Sequence, residues 1–311
     1  MQIGYFGLGK MGFNMVLRLL DKDYDVVACN RSPKPIKEVA KKGANTAFSL
    51  SELVKNLKAP RTVWIMVPAG KPVDEVIFEE GGLINLLEKG DTVIDGGNSF
   101  YKDTIRRYDQ LKEKGINFLD AGVSGGPGGA RNGASIMVGG DKEVYKKYEP
   151  LFKDLSVTNG YGHMGPAGAG HFVKMVHNGI EYGMMQSIAE GFELATKGPY
   201  ANVNLRNLAK VWNHGTVIRG FLMDRMEQAL ENDPNLSTVD TAIGAGDLGE
   251  TRWAIKAAID NEVPFDSPAR ALFARFRSRQ KESFATKVIA AMRSTFGGHK
   301  AKDTLSKKSA N

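Results

Sequence analysis

Gly7-x-Gly9-x-x-Gly12 stands directly after the apolar run "QIGYF" and opens the helical stretch "FNMVLRLLDK". No other feature restricts the fold as strongly, because it dictates strand, tight turn and helix in immediate succession. Each glycine has a separate reason. Gly7 permits the turn. Gly9 lets a pyrophosphate approach the backbone where a helix N-terminus favours negative charge. Gly12 lets helix and strand pack closely. The spacing alone is weak, but the strand-turn-helix context makes it a dinucleotide-binding signature. Gly7, Leu8, Gly9, Lys10, Met11 and Gly12 are therefore candidate cofactor contacts.

The end of the second strand, "YDVVACN", bears on which dinucleotide. Chains that hold NAD place Asp or Glu there for the ribose hydroxyls. Here the strand runs into Asn30-Arg31-Ser32. Arg31 is a cation where a 2′-phosphate would sit, and Ser32 adds a donor. The reading favours NADP and leaves NAD or dual use open. The bland alternative is that Arg31 only covers the adenine face.

Further apolar runs follow: "RTVWIMVP", "GDTVIDGGNS", "GINFLDAGVSGG" and "ASIMVGG". Helical segments such as "YKDTIRRYDQLKEKG" separate them. That alternation predicts an α/β fold, a Rossmann-like, doubly wound parallel sheet covered on both faces. Beyond about Gly165 the strand pattern stops. Helices are expected over 167–196, 205–214, 216–231, 251–260, 266–277 and 282–295. We expect a dinucleotide-binding domain over 1–165 and an all-helical domain over 166–311, whose polar last dozen residues fray.

Composition narrows the class. The chain is 42% hydrophobic and 25% charged, as in ordinary globular proteins. One cysteine, Cys29, excludes an internal disulfide and suits a reducing, cytoplasmic setting. The N-terminus begins as a strand and lacks the look of a secretory leader. No run of about 18 apolar residues predicts a membrane span. The net charge of +7 is uneven: Arg270–Asn311 holds 11 Lys/Arg against 2 Asp/Glu, a surplus of nine, so the rest sums to −2. Clustered arginines suit a phosphorylated small molecule. Nucleic acid is disfavoured, since Phe273, Phe276, Phe284 and Phe296 are spaced like helix core positions.

The stretch "GHFVKMVHNGIEYGMMQSIAEGFELA", residues 170–195, reads as a mostly apolar helix. Yet Lys174, His177, Asn178, Glu181 and Tyr182 fall on one side of it, at three- and four-residue spacing. A solvated face would explain such a stripe on an isolated helix. Asn178 and His177 argue against that, because neither is a strong helix former. Five histidines, one cysteine and no His-x-x-x-His pair here make a metal site unexpected. In a parallel sheet, loops beyond the strand C-termini line the ligand crevice. Those loops carry Val67, Pro68 and Ala69, then Asp95–Ser99, then Gly122–Pro127. Asn98 is placed to bridge cofactor and substrate. Ser124, Gly125 and Gly126 offer a hydroxyl and backbone donors to a carboxylate.

"GLGxMG", "NRS", "DGGNS", "SGG" and above all "KMVHNGIEY" give the chain a resemblance over nearly its whole length to the 6-phosphogluconate dehydrogenases, in their short form. These are decarboxylating enzymes of the pentose phosphate pathway. The resemblance implies NADP or NAD as cofactor and a phosphorylated sugar acid as substrate. It implies that Lys174 is the general base for the 3-hydroxyl as hydride leaves C3. Lys174 then returns its proton to the ketone oxygen during decarboxylation, and Glu181 protonates C1 of the enediol to give ribulose 5-phosphate. Asn98, Ser124, Gly125, Gly126, His177, Asn178 and Tyr182 match substrate-contacting positions. Arg275 matches the phosphate ligand, with Arg277 and Arg279 nearby. "AAMRSTFGGH" resembles a tail donated by a second subunit, pointing to Arg293, His299 and a homodimer. One departure stands out: Leu248 occupies a position where long forms carry lysine, and Arg252 is a candidate to compensate. Because Lys174 must be neutral as hydride leaves, its pKa is expected to be lowered near the positive ring of the cofactor.

Two other readings compete. A 3-hydroxy acid dehydrogenase, such as one for 3-hydroxyisobutyrate, shares the fold and the lysine but has no need of Glu181, Arg275 or His299. A non-catalytic dinucleotide-binding protein has no need of Lys174 and Glu181 together.

Overall fold

The computed structural model describes residues 1–200, 202–243 and 249–297. They fall into two compact units, Met1–Met184 with Asp247–Pro268, and Met185–Gly246 with Ala269–Asn311.

The first unit is built on an eight-stranded sheet. Its strands are β1 (Gln2–Phe6), β2 (Asp25–Cys29), β3 (Asn45–Ala47), β4 (Thr62–Ile65), β5 (Thr92–Asp95), β6 (Asn117–Ser124), β7 (Ala134–Gly140) and β8 (Ser156–Gly165). Helices between them are α1 (Lys10–Leu20), α2 (Pro33–Ala40), α3 (Leu50–Lys55), α4 (Lys71–Phe78), α5 (Leu83–Leu86), α6 (Tyr101–Glu113), α7 (Gly126–Asn132) and α8 (Lys142–Leu155). After the sheet come α9 (Ala169–Lys197), α10 (Leu205–Asn213), α11 (Phe221–Asn232), α12 (Glu250–Asp260), α13 (Asp266–Ser278) and α14 (Phe284–Gly297).

Strand order is β3-β2-β1-β4-β5-β6-β7-β8. The two-residue period of a strand sends neighbours to opposite faces, and both faces are apolar. On β4, Trp64 joins Tyr5, Met15, Leu19 and Phe152 on one side, while Val63 and Ile65 join Val27, Leu53, Ile77 and Phe118 on the other. On β6, Leu119 and Ala121 belong to the first cluster and Phe118 to the second. This double coverage is why the strands read as continuous apolar runs. Tyr5 and Trp64 stack with ring centroids 6.1 Å apart.

The sheet departs from the expected all-parallel form at one place. β6 and β7 pair antiparallel, whereas β7 and β8 are parallel again. Only residues 125–133 join β6 to β7, and a parallel crossover needs a dozen or more. The 14-residue α8 supplies that length before β8. β3 and β8 are additions to the expected strands. β3 has three residues, and β8, "SVTNGYGHMG", is a polar, glycine-rich edge strand with no apolar alternation.

The helices past residue 165 fall close to the expected spans. The exception is α11, which begins at Phe221, because Gly215 and Gly220 take positive φ (+82° and +152°) and interrupt the run from 216. In the second unit α10 and α11 enclose Phe192, Ala209, Met223 and Leu230, with Trp212 edge-on to Phe192 at 5.3 Å. No helix among the described residues is long and apolar enough to cross a membrane.

Candidate active site

The glycine turn follows β1 directly. Gly7 has φ +108°, and a Cβ there would lie 2.3 Å from the Met66 carbonyl oxygen. A Cβ on Gly12 would lie 2.0 Å from the Gly7 carbonyl oxygen, so only glycine lets α1 start this close to the strand. Gly9 is the opposite case: exposed, with nothing within 4 Å of an added Cβ. Gly9 is also the N-cap of α1 and no side chain caps the helix, so its first-turn N–H groups are left to a ligand. An open backbone at a bare helix N-terminus fits a pyrophosphate. Lys10 is exposed and Met11 half-buried at the same turn.

Asn30 is used for architecture as well. Its Oδ1 accepts from Leu8 N–H at 2.9 Å, and its amide donates to the Ser32 hydroxyl at 3.0 Å. It therefore ties the turn to the end of β2, where Arg31 and Ser32 are exposed. Val67, Pro68 and Ala69 follow β4 beside the turn: Val67 Cγ1 is 3.2 Å from a Cβ built on Gly7, and its carbonyl oxygen is 2.9 Å from one built on Gly97.

A buried arginine that sequence reasoning missed braces these loops. Arg107 of α6 donates to Asp74 at 2.8 Å and to the Gly70 carbonyl at 3.1 Å, and lies 3.9 Å from Asp95. Asp95 in turn accepts from Gly97 N–H at 3.0 Å and from the Ser99 hydroxyl at 2.7 Å, flanking Asn98. The available signal was position: Thr104, Arg107 and Leu111 form the buried stripe of α6.

The lysine helix is seated on β6. Asp120, fully buried, accepts from Gly168 N–H and His171 N–H, both at 2.8 Å, at the start of α9. Burial pushes its carboxyl pKa upward against the pull of His171 and those N–H groups. The His171 ring bonds Thr104 at 2.8 Å and reaches the Asp95 carbonyl at 3.2 Å. Gly122 makes room for the lysine stem, since a Cβ there would sit 2.4 Å from Lys174 Cβ.

Four of the five stripe residues then form one polar cluster. Lys174, only 6% exposed, donates from Nζ to Asn178 Oδ1 at 2.6 Å and lies 3.5 Å from His177 Nδ1. His177 Nδ1 is 3.2 Å from the same Oδ1, and Nε2 is 3.2 Å from the Ser124 hydroxyl. Because Oδ1 only accepts, Nδ1–H donates there and Nε2 accepts from Ser124. Glu181 approaches His177 Nδ1 to 3.9 Å. Burial holds the Lys174 pKa below the ordinary lysine value of 10.5, with Glu181 and then Glu250 pulling the other way. The lowered value expected from the sequence is thus present in the protein alone, with desolvation as its main cause. His177 is lowered too, by burial and then by the charge of Lys174. Tyr182 is half-buried next to Glu181.

Glu250, at the start of α12 and 8% exposed, is a second residue the sequence reading missed. It accepts from the Asn98 amide at 3.2 Å. Gly125 and Gly126 follow Ser124 at the end of β6 with φ +124° and +61°, and Gly126 is open to solvent. Arg275 and Arg293 belong to the second unit, Arg275 on α13 within 4.0 Å of Met185 Sδ and Arg293 exposed on α14. His299 and Leu248 lie outside the described residues. Among the described residues no group of three or more His, Cys, Asp or Glu side chains is arranged to hold a metal ion.

Two family patterns match, the NAD binding domain of 6-phosphogluconate dehydrogenase over residues 2–178 and the 6-phosphogluconate dehydrogenase C-terminal domain over 170–308. The chain belongs to the 6-phosphogluconate dehydrogenase family. The Bacillus subtilis protein YqeC is 44% identical over 299 residues, covering 96% of this chain and 98% of its own. The NAD(+)-dependent, decarboxylating 6-phosphogluconate dehydrogenase of Haloferax volcanii is 40% identical over 301 residues, with the same two coverages. The solved 6-phosphogluconate dehydrogenase of Plasmodium falciparum superposes with a TM-score of 0.81 at 31% identity, over 96% of this chain. This chain spans 65% of that longer family member. As in the family, the Rossmann-like domain comes first and binds NADP or NAD, and an all-helical domain follows.

Proposed function

We propose that the chain catalyses oxidative decarboxylation of 6-phosphogluconate to ribulose 5-phosphate and carbon dioxide, with NADP or NAD as hydride acceptor. The observation that carries this reading is Lys174: a buried amine with a lowered pKa, hydrogen-bonded to Asn178 and next to His177, with Glu181 in the same cluster. Only a neutral amine can take a proton, and burial favours the neutral form.

The bound dinucleotide supplies the hydride acceptor, held by Gly7–Gly12, Asn30–Ser32, Val67–Ala69 and Asn98. Lys174 takes the proton of the C3 hydroxyl as that carbon is oxidised. The ammonium so formed returns the proton to the ketone oxygen as carbon dioxide leaves, while Glu181 keeps its own proton. Glu181 then protonates C1. Asn98, Ser124, Gly125, Gly126, His177, Asn178 and Tyr182 bind the sugar acid. Arg275 binds its phosphate, with Arg293 and His299 added from a second subunit.

A homodimer is supported by apolar side chains left exposed in the second unit, among them Leu194, Phe273, Phe284, Ile289 and Met292. Sedimentation gives the oligomeric state directly. Arg31 and the missing strand-end carboxylate support NADP as the preferred partner, whereas the Haloferax volcanii relative is NAD(+)-dependent. We keep residues 165/166 as the functional division of the chain and the cytoplasm as its compartment. The decisive experiment follows dinucleotide reduction and carbon dioxide release together on 6-phosphogluconate. Equal amounts of both are expected. No turnover refutes the reading, and reduction without carbon dioxide refutes the decarboxylation.

A further inference from the structure

The proposed reaction assigns work to Lys174 and Glu181 but none to the other carboxylate of the cluster. Glu250 comes from α12, 152 residues from its partner Asn98 in sequence, and it is 92% buried. A buried carboxylate must have donors nearby. One is the Asn98 amide at 3.2 Å.

That contact has a directional consequence. An ionised carboxylate only accepts hydrogen bonds, so it fixes the Asn98 side chain with its NH₂ toward Glu250. The Asn98 carbonyl oxygen is then the end presented to a bound molecule, as an acceptor for a hydroxyl or a carboxamide N–H. On the other side, the charged or titratable groups acting on Lys174 are His177 and Glu181 from its own helix and Glu250 from α12. β6, against which the lysine stem packs, presents Gly122 and the neutral Ser124 there, and on the same face the Asp120 carboxylate, which is taken up by the Gly168 and His171 N–H groups at the start of the helix.

We infer that Glu250 is a positioning residue for the lysine reaction: it orients Asn98 as an acceptor toward substrate or cofactor, and it places a second negative charge beside Lys174. The inference rests on the function proposed above for the same site, and it adds a residue to it. Glu250 itself need not touch substrate. The charge matters because the lysine must alternate between neutral and protonated states. Glu181 cannot be its sole counter-charge, since Glu181 gives up its own proton to C1 and changes charge during the cycle.

The test compares wild type, Glu250→Gln and Glu250→Asp in steady-state turnover of 6-phosphogluconate across pH. In parallel, the pH dependence of Lys174 acetylation by acetic anhydride is followed by mass spectrometry on protein without substrate. E250Q is expected to lower kcat/KM by about 10- to 100-fold, the scale of a displaced catalytic contact. It should also move the acidic limb of the pH profile, and the midpoint of Lys174 reactivity, to lower pH. E250D, which keeps the charge, should leave both where they are and recover part of kcat/KM. Asn98→Ala combined with E250Q should cost less than the sum of the two, because both act through one contact. An E250Q enzyme with unchanged kcat/KM and an unmoved Lys174 midpoint overturns the inference, as do additive effects with Asn98→Ala. A uniform loss of activity with an unmoved limb marks a merely structural residue and overturns it too. If E250Q does not fold, E250D decides by its limb: a shift overturns the inference. Absence of turnover in wild type refutes the proposed function instead, and the Lys174 midpoints still decide on Glu250.

Discussion

Gly122→Ala adds one methyl group at the point where β6 meets the lysine helix. The new Cβ would stand 2.4 Å from Lys174 Cβ, 2.9 Å from its Cγ and 3.1 Å from the Gly170 carbonyl oxygen. Carbon atoms settle at about 3.5–4.0 Å, so one partner must retreat by roughly 1.1–1.6 Å. No flexible chain end is available to do so. Lys174 Cβ is the root of its side chain, and Gly170 is helix backbone. Gly122 itself is held by pairing with Met137 on β7. α9 must therefore lift from the sheet, carrying the amine with it.

Overpacking of this kind costs about 1–3 kcal/mol, and a displacement near 1 Å at a reacting group costs on the order of 100-fold in rate. The glycine turn proposed to hold the dinucleotide lies between β1 and α1, away from β6, and is not disturbed. G122A should thus lose kcat about 100-fold and melt several degrees lower, while binding dinucleotide as wild type does. Stopped-flow turnover, fluorescence titration with reduced dinucleotide and a thermal melt measure the three. A variant with wild-type kcat and melting temperature refutes the packing of Lys174 against β6. One that loses dinucleotide affinity along with kcat refutes the separation of the two halves of the site.

Other substitutions probe the chemistry. Glu181→Gln should reduce kcat by about 10²- to 10⁴-fold, the range of general acid–base contributions, with little change in dinucleotide affinity; unchanged turnover would remove Glu181 from the proton-donor role. Arg31→Asp should weaken NADP far more than NAD, and an equal effect on both in paired KM measurements contradicts a 2′-phosphate contact. Burial lowers the folded-state pKa of Lys174, so the folded protein binds fewer protons than the unfolded chain between that lowered value and 10.5, and at lower pH it carries the full cost of the buried charge. Lys174→Met should therefore abolish turnover yet raise the melting temperature at neutral pH, the advantage fading as pH rises toward 10.5. A melting temperature below wild type at pH 7 would contradict a desolvated amine.

Most of the sheet was legible because β1, β2, β4, β5 and β6 are buried on both faces and write that burial as unbroken apolar runs. β8 was not, since an edge strand needs apolar residues on neither face, and its glycines and polar groups read as loop. The direction of β7 depended on counting the residues available for a crossover, not on any residue type. In the site, the stripe from Lys174 to Glu181 showed because polar groups at helical spacing are conspicuous in an apolar helix. Arg107, Asp120 and Glu250 did not show. Each is an ordinary charged residue in its own segment and becomes significant only through a partner 33, 51 or 152 residues away.

That division has a physical reason. The residues proposed to act on or bind the substrate converge from a few short segments, and α9 alone supplies five of them, so their spacing is written locally. The residues that set how well the chemistry runs act through distance and burial, which no local pattern encodes. Lys174 illustrates the dependence. Its amine is useful because it is desolvated, and it is desolvated because Asp120 caps the helix onto β6 and Gly122 lets the stem lie flat against the strand. Desolvation alone would make the protonated state too costly to form when the lysine takes the substrate proton, so carboxylates must stand near, and one of them comes from a separate helix. A change that merely increased the burial of Lys174 would make it a weaker base, slower to take the substrate proton although readier to return it, so the surrounding charge is as much a part of the catalyst as the lysine.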